Sequence, residues 1–418
     1  MGPNNVSWHN TFEYISPDKF KEQHPKWFSD DGTQLCFNAH GDEKEYKLFF
    51  EEFMKSFIKV LEENPNSDNI TITQRDIPTW CDCPVCKADF EKYGTDSGNA
   101  IKFCNRVSDA LDEYLKENNI DRKVNICFFG YHKTTHAPVT RDENGNFKPI
   151  DEEVVCRPNV YCFYAPIFSD FMRGYNNHSN DVFIETMEKF CSISSHVYLW
   201  VYATRFPDYF TPYNAIESMQ ESYIVYKAHN ADYLYDQIQW NNNEQSDWLN
   251  LRSYLQSKLS WNVKCDFDKL VDDFMNFHYK DAAGSMKEAF HLYNCYFRYL
   301  LDEVGVPGSY TVEEAVNKEN YTKEFCDSML YYFDKAYEDI EHLKEEDKEL
   351  YSTLELRITL ETLVYRYLLI RLHSDQFDEE TLLQMKLKFK EDCERLNFNL
   401  WVEWKDIKLL WEEWKISE

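Results

Sequence analysis

Two periodicities divide the chain. As far as about residue 260, short runs of β-branched and aromatic residues alternate with stretches whose apolar positions recur every three to four residues. The strand-like runs fall at residues 5–12, 69–75, 123–129, 159–165, 196–202 and 232–239. Helical stretches fall at 43–63, 97–117, 181–191, 214–229 and 246–259. In the first of these, Tyr46, Phe49, Phe50, Phe53, Phe57, Val60 and Leu61 share one side. A long polar loop containing Asn144-Gly145-Asn146 separates the third and fourth strands.

Strands and helices in strict alternation predict an α/β fold built of stacked βα units around a parallel sheet. A closed (β/α)8 TIM barrel needs eight strands, and six are visible. The expectation is therefore a TIM-barrel-type domain over residues 1–262 that lacks two units at its amino end. A doubly wound open sheet is the alternative, but no Gly-rich phosphate loop follows any strand. Beyond about Asp266 only the helical period persists, in stretches at 270–278, 282–304, 311–318, 323–341, 345–373, 378–396 and 401–416, with Val306-Pro307-Gly308 as a breaker. This predicts an all-α domain over 263–418, in which Trp401, Trp404, Trp411 and Trp414 form a buried seam.

Composition narrows the partners. The 418 residues carry 74 acidic against 45 basic side chains, a formal charge of -29. Phosphate backbones and anionic membranes call for a basic footprint, so neither nucleic acid nor a membrane surface is an expected partner. No run approaches a membrane span. Residues 1–30 show no basic segment followed by an apolar one, which as written implies a cytoplasmic chain, or an extracellular one if an export signal lies upstream. Thirteen cysteines without a regular spacing fit reduced thiols better than a disulfide framework. Aromatics make up 17% of the residues, a surplus that suits stacking on sugar rings as well as core packing.

Candidate chemistry gathers at the strand ends, where β/α barrels place their active sites. The run Ile70–Asp76 ends on Gln74-Arg75-Asp76, and a carboxylate there can serve as a general acid. Asp236, with Gln237, ends the last strand and is the candidate second acid. Trp8 and His9 on the first run, Trp80, Tyr131, Trp200 and Tyr202 are the candidate walls of a sugar site, with Gln74 and Gln237 as amide contacts to its hydroxyls. Cys81, Cys83 and Cys86 follow closely, and with Cys36 or a His as fourth ligand they could share a structural zinc ion; packed free thiols or a disulfide are the other readings. His132 and His136 lie in a loop, where their spacing does not suggest a metal site. No G-x-S-x-G, Walker or H-E-x-x-H motif occurs.

The order of these motifs resembles the bacterial domain of unknown function 4838, a group overlapping glycoside hydrolase family 163. The likeness runs through His9…Phe12, His24-Pro25-Lys26-Trp27-Phe28, Leu35-Cys36-Phe37-Asn38, Gln74-Arg75-Asp76, Trp80-Cys81…Cys83…Cys86, Trp200-Val201-Tyr202, Leu251-Arg252-Ser253-Tyr254-Leu255 and His278-Tyr279-Lys280-Asp281. It covers roughly residues 7–293. The resemblance implies an endo-β-N-acetylglucosaminidase-like enzyme that acts on an oligosaccharide or glycoprotein glycan and requires no cofactor. Two positions depart from the family: Arg75 stands where Asn is usual, and Val201 where the family reads Trp-Asp-Tyr. They favour the alternative, a non-catalytic glycan-binding or scaffold barrel.

Overall fold

The computed structural model describes residues 8–202, 204–241 and 245–416. The chain forms two compact units. The first takes in the residues up to Ile167 together with Asp181–Val201 and Tyr226–Tyr235; the second is Phe168–Asn180, Tyr202–Val225 and Asp236 onward. The helical unit thus draws three stretches from before the boundary expected at 262/263.

A curled parallel sheet organises the first unit. Its strands are β1 (Asn69–Thr71), β2 (Asn125–Gly130), β3 (Val160–Tyr164), β4 (Val197–Tyr202) and β5 (Ala231–Gln237), each beside its predecessor. Five strands make half a barrel, and a closed eight-stranded barrel is not found among the described residues. Because the strands are parallel, helices cover the outer face and both faces are apolar. Phe128 and Tyr164 point outward onto Phe190 of the helix Asp181–Cys191. Gly130 is required here, because a Cβ would lie 2.7 Å from the Cys162 sulfur.

The inner face is paved with rings: Phe129, Phe163, Trp200 and Tyr235 toward the carboxyl ends, and Tyr161, Tyr198 and Tyr233 below them. The Tyr198 hydroxyl on β4 donates to Asn69 Oδ1 on β1 at 3.0 Å, across two intervening strands. On a flat sheet three spacings of about 4.8 Å would separate those strands, so this bond records the curl.

Of the expected first strand at 5–12, the described residues 8–12 form none. Residues 5–7 lie outside the described residues, and Thr11–Tyr14 is a short helix. What lies against the edge of β1 is a side chain. Asn10 accepts from the Thr73 backbone N–H at 3.0 Å and donates to the Thr71 carbonyl at 2.9 Å, as a neighbouring strand would. The buried amide thus helps satisfy the edge, together with the Tyr14 hydroxyl, which donates to the Thr71 carbonyl at 2.7 Å. Before β1, helix α1 (Glu43–Glu63) starts on Asp42, whose carboxylate accepts from Lys44 and Glu45 N–H, and it buries Phe49, Phe53, Phe57 and Leu61 at a spacing of four. The polar loop around Gly145 is a small hairpin, Val139–Arg141 against Phe147–Pro149.

In the second unit, the helix Lys348–Leu372 is buried on nearly every side from Ile358 to Ile370, as expected of a central helix. The helices Phe267–Tyr279, Lys323–Ile340, Lys348–Leu372 and Glu379–Arg395 each begin on an Asp or Thr that accepts a first-turn N–H. Two expected helices shrink. Residues 311–318 keep only the turn Glu313–Ala315, and 401–416 open with the hairpin Leu400–Val402/Lys405–Asp406 before a short helix, Lys408–Glu413. The tryptophan seam is accordingly partial. Trp411 and Trp414 are buried, while Trp404 sits at the hairpin tip, 74% exposed. No described helix is long and apolar enough to cross a membrane.

Candidate functional site

The carboxyl end of β1 carries the most chemically suggestive cluster. The chain leaves the strand through Thr73-Gln74, and the backbone then turns Asp76 outward, its side chain 59% exposed. Two histidines flank it. His132 Nε2 lies 3.3 Å from Asp76 Oδ1, and His9 Nε2 lies 4.0 Å from Oδ2. His9 Nδ1 is 2.7 Å from the Gln74 carbonyl. A carbonyl only accepts, so Nδ1 holds the proton and Nε2 turns a lone pair toward Asp76. Burial lowers the His9 pKa below 6.5, against the opposing pull of the Gln74 carbonyl and Asp76, so the ring is neutral at pH 7. Both histidines adopt left-handed backbone, with φ of 54° for His9 and 51° for His132. Such conformations cost about 1–3 kcal/mol each and gather at functional sites.

Behind His9 stands the aromatic floor. Trp8 stacks on Phe129 at 5.6 Å and meets Phe163 and Trp200 edge-on at 5.1 Å each, and His9 leans on Phe129. Trp8, His9 and Tyr131 are half-buried, so this surface has an open side; Trp200 is buried beneath it.

Other expected contacts lie elsewhere. Gln74 is buried, and its amide donates to the Tyr131 carbonyl and to Thr134 Oγ1, which ties β1 to the turn after β2. It is therefore a brace and not a sugar contact. Arg75 points away, its backbone N–H on Gln34 and its guanidinium over Phe12. Tyr202 is buried among Phe171, Phe206 and Tyr310 in the second unit, and Gln237 donates to Glu403.

The expectation that Asp236 is a second acid must be corrected. Its side chain is fully buried, and both oxygens engage Arg252 Nη2, at 2.9 and 3.2 Å. A carboxylate occupied in this way is an internal ion pair with no path to a glycosidic oxygen.

The thiols form the second notable arrangement. The sulfurs of Cys36, Cys81, Cys83 and Cys86 all lie within 4.8 Å of one another, and all four residues are buried. Contact with Cys36 pulls Cys81 down to about 5 and Cys83 down to about 7, while the three neighbours push Cys36 far up. Trp80 packs on this cluster and meets Phe37 edge-on. It lines a cavity of about 190 Å³ with Asp82, Lys87, Phe90, Asp96 and Lys133. Burial raises Asp96 there to about 7.

Sequence reasoning passed over His132, whose one signal was its place directly after a strand-end tyrosine. It also missed the role of Asn38, quoted only as part of Leu35-Cys36-Phe37-Asn38, and of His40 and Asn99, which belong to no motif; all three surround the thiols.

The family described as a domain of unknown function, DUF4838, matches residues 2–291. The chain belongs to the DUF4838 family. The match takes in the Asp76 cluster, the four cysteines and the Asp236–Arg252 pair. Among solved structures, this DUF4838 chain is similar to a GH138 enzyme targeting pectin rhamnogalacturonan II, with a TM-score of 0.39 and 11% identity over 86% of this chain and 53% of that one. It thus spans about half the length of that protein. No curated protein matches it.

Proposed function

We propose that this DUF4838 protein binds glycans containing β-linked N-acetylglucosamine at the carboxyl end of its sheet and hydrolyses them, with Asp76 as the acid/base. One observation carries this reading: Asp76 stands open between two histidines beside a half-buried aromatic surface. A carboxyl in that position can protonate the leaving oxygen of a saccharide whose ring lies against Trp8 and Tyr131. His132 donates to Oδ1 and fixes the carboxylate, and neutral His9 can take up a proton through Nε2. The sugar is the one that the resemblance to glycoside hydrolase family 163 implies. With Asp236 engaged by Arg252, a two-carboxylate scheme has lost the acid proposed for it. Substrate assistance by the 2-acetamido oxygen, a recognised exception to that scheme, needs one fewer protein carboxylate.

The same sequestration of Asp236 favours a second reading, a glycan-binding protein without turnover. Release of glycan from an N-glycoprotein, measured beside calorimetric binding, separates the two. For an enzyme, Asp76→Asn lowers turnover by roughly 10²–10⁴-fold and leaves binding in place. Binding by the unaltered chain with no product selects the second reading. Turnover unchanged in Asp76→Asn removes Asp76 from the chemistry.

A further inference from the structure

We propose that Cys36, Cys81, Cys83 and Cys86 hold one zinc ion, which clamps the loop after β1 to the turn before α1. This does not depend on the reading of Asp76. Cys36 Sγ lies 3.8 Å from Cys83 Sγ and 3.8 Å from Cys86 Sγ. Around a tetrahedral zinc with bonds of about 2.3 Å, neighbouring sulfurs stand about 3.8 Å apart. A disulfide would need about 2.05 Å, and all four thiols are free.

Surrounding groups suit thiolates. The His40 backbone N–H points at Cys36 Sγ from 3.3 Å. The Asn99 and Asn38 amides point at Cys86 Sγ from 3.4 and 3.7 Å. Both amides also reach Asp89, which Lys102 holds at 2.7 Å. Donors aimed at sulfur, themselves fixed by a further ion pair, are the outer shell that metal-bound thiolates require and that apolar packing of neutral thiols does not. Cys83 stands at the N-cap position of helix α2 (Pro84–Tyr93) and Cys86 lies in its first turn, where the helix dipole favours negative sulfur.

The turn that delivers Cys36 is equally specific. Ala39, His40 and Gly41 follow one another at φ of 43°, 55° and 79°, and a Cβ on Gly41 would meet Val85, between Cys83 and Cys86, at 2.6 Å. Four buried protein sulfurs leave no open coordination position, so the ion is structural. What it joins are two segments 45 residues apart in sequence, Cys36 and Cys81.

Metal analysis of the full chain, purified without chelator or metal-affinity resin, tests this. One zinc per chain is expected. Removal of the metal under reducing conditions and anaerobic titration with cobalt(II) should give thiolate-to-cobalt charge-transfer absorption and tetrahedral d–d bands that saturate at one equivalent. Asn99→Ala, which keeps all four ligands, should weaken cobalt binding by roughly 10–100-fold. Metal-free protein whose apo form gives no such spectrum would overturn the proposal. So would a Cys36–Cys83 or Cys36–Cys86 disulfide found by mass spectrometry, or a single iron in place of zinc.

Discussion

Two aspartates lie toward the carboxyl ends of strands in opposite settings, Asp76 half in solvent and Asp236 buried on Arg252, a contrast that one pair of substitutions can expose. In Asp236→Asn the shape is kept and the charge removed. Arg252, only 3% exposed, then loses the partner of its Nη2 while its Nη1 stays on the Ala215 carbonyl. Breaking a buried pair on one side costs about 3–5 kcal/mol, because the remaining charge is stranded in the interior. For a unit of this size that corresponds to a fall in Tm of roughly 6–20 °C. Asp76, half in solvent, has no such debt. Asp76→Asn should leave Tm within about 2 °C, since surface substitutions usually change stability by no more than about 0.5 kcal/mol.

Differential scanning calorimetry of the full chain reads both variants. Asp236→Leu combined with Arg252→Met should recover part of the loss, because a well-packed apolar pair often replaces a buried ion pair at little cost. Recovery stays incomplete because the Ala215 carbonyl loses its donor, at about 1–3 kcal/mol. An Asp236→Asn protein with an unchanged Tm and lost hydrolysis would refute the assignment and return Asp236 to the chemistry.

The edge of β1 offers another test. Asn10→Ala leaves the buried Thr73 N–H without its acceptor, while the Thr71 carbonyl keeps the Tyr14 hydroxyl at 2.7 Å, which predicts a loss of about 1–3 kcal/mol for the one unsatisfied group, measurable by urea unfolding. In the second unit, burial lowers His278 to about 4, where it stacks on Phe274. The unfolded ring takes up its proton near pH 6.5, before the folded one. The stability His278 contributes is therefore complete above 6.5 and is lost as pH falls toward 4. His278→Gln should flatten the acid side of the stability profile in that window.

Where local pattern and tertiary role coincide, the fold was legible. The five strands carry the β-branched and aromatic runs that mark them, and α1 shows its apolar stripe directly. The three clustered thiols were legible as well, because soft ligands within six residues of one another leave few arrangements; Cys36, 45 residues before them, entered only as one choice beside a His for the fourth place. The misreadings share a cause. Residues 5–12 alternate like a strand, but Asn10 meets β1 with its side chain, a choice that periodicity does not register. Residues 401–416 keep helical spacing, yet Trp404 adopts φ of 64° at a hairpin tip. Asp236 looked catalytic because its partner stands 16 residues on, and only the packing of the helix Leu249–Leu259 brings Arg252 to it. His132 was set aside as a metal ligand, and its pairing with Asp76 depends on a backbone turn that its neighbours in sequence do not announce.

The polypeptide passes between its two compact units at 167/168, 180/181, 201/202, 225/226 and 235/236. Neither unit is therefore an inheritable cassette. A gene rearrangement that cut at codon 262 would carry off helices stripped of three of their own stretches and leave those stretches stranded on the strand-bearing half. Shuffling of the kind that assembles mosaic proteins would have to take both units together.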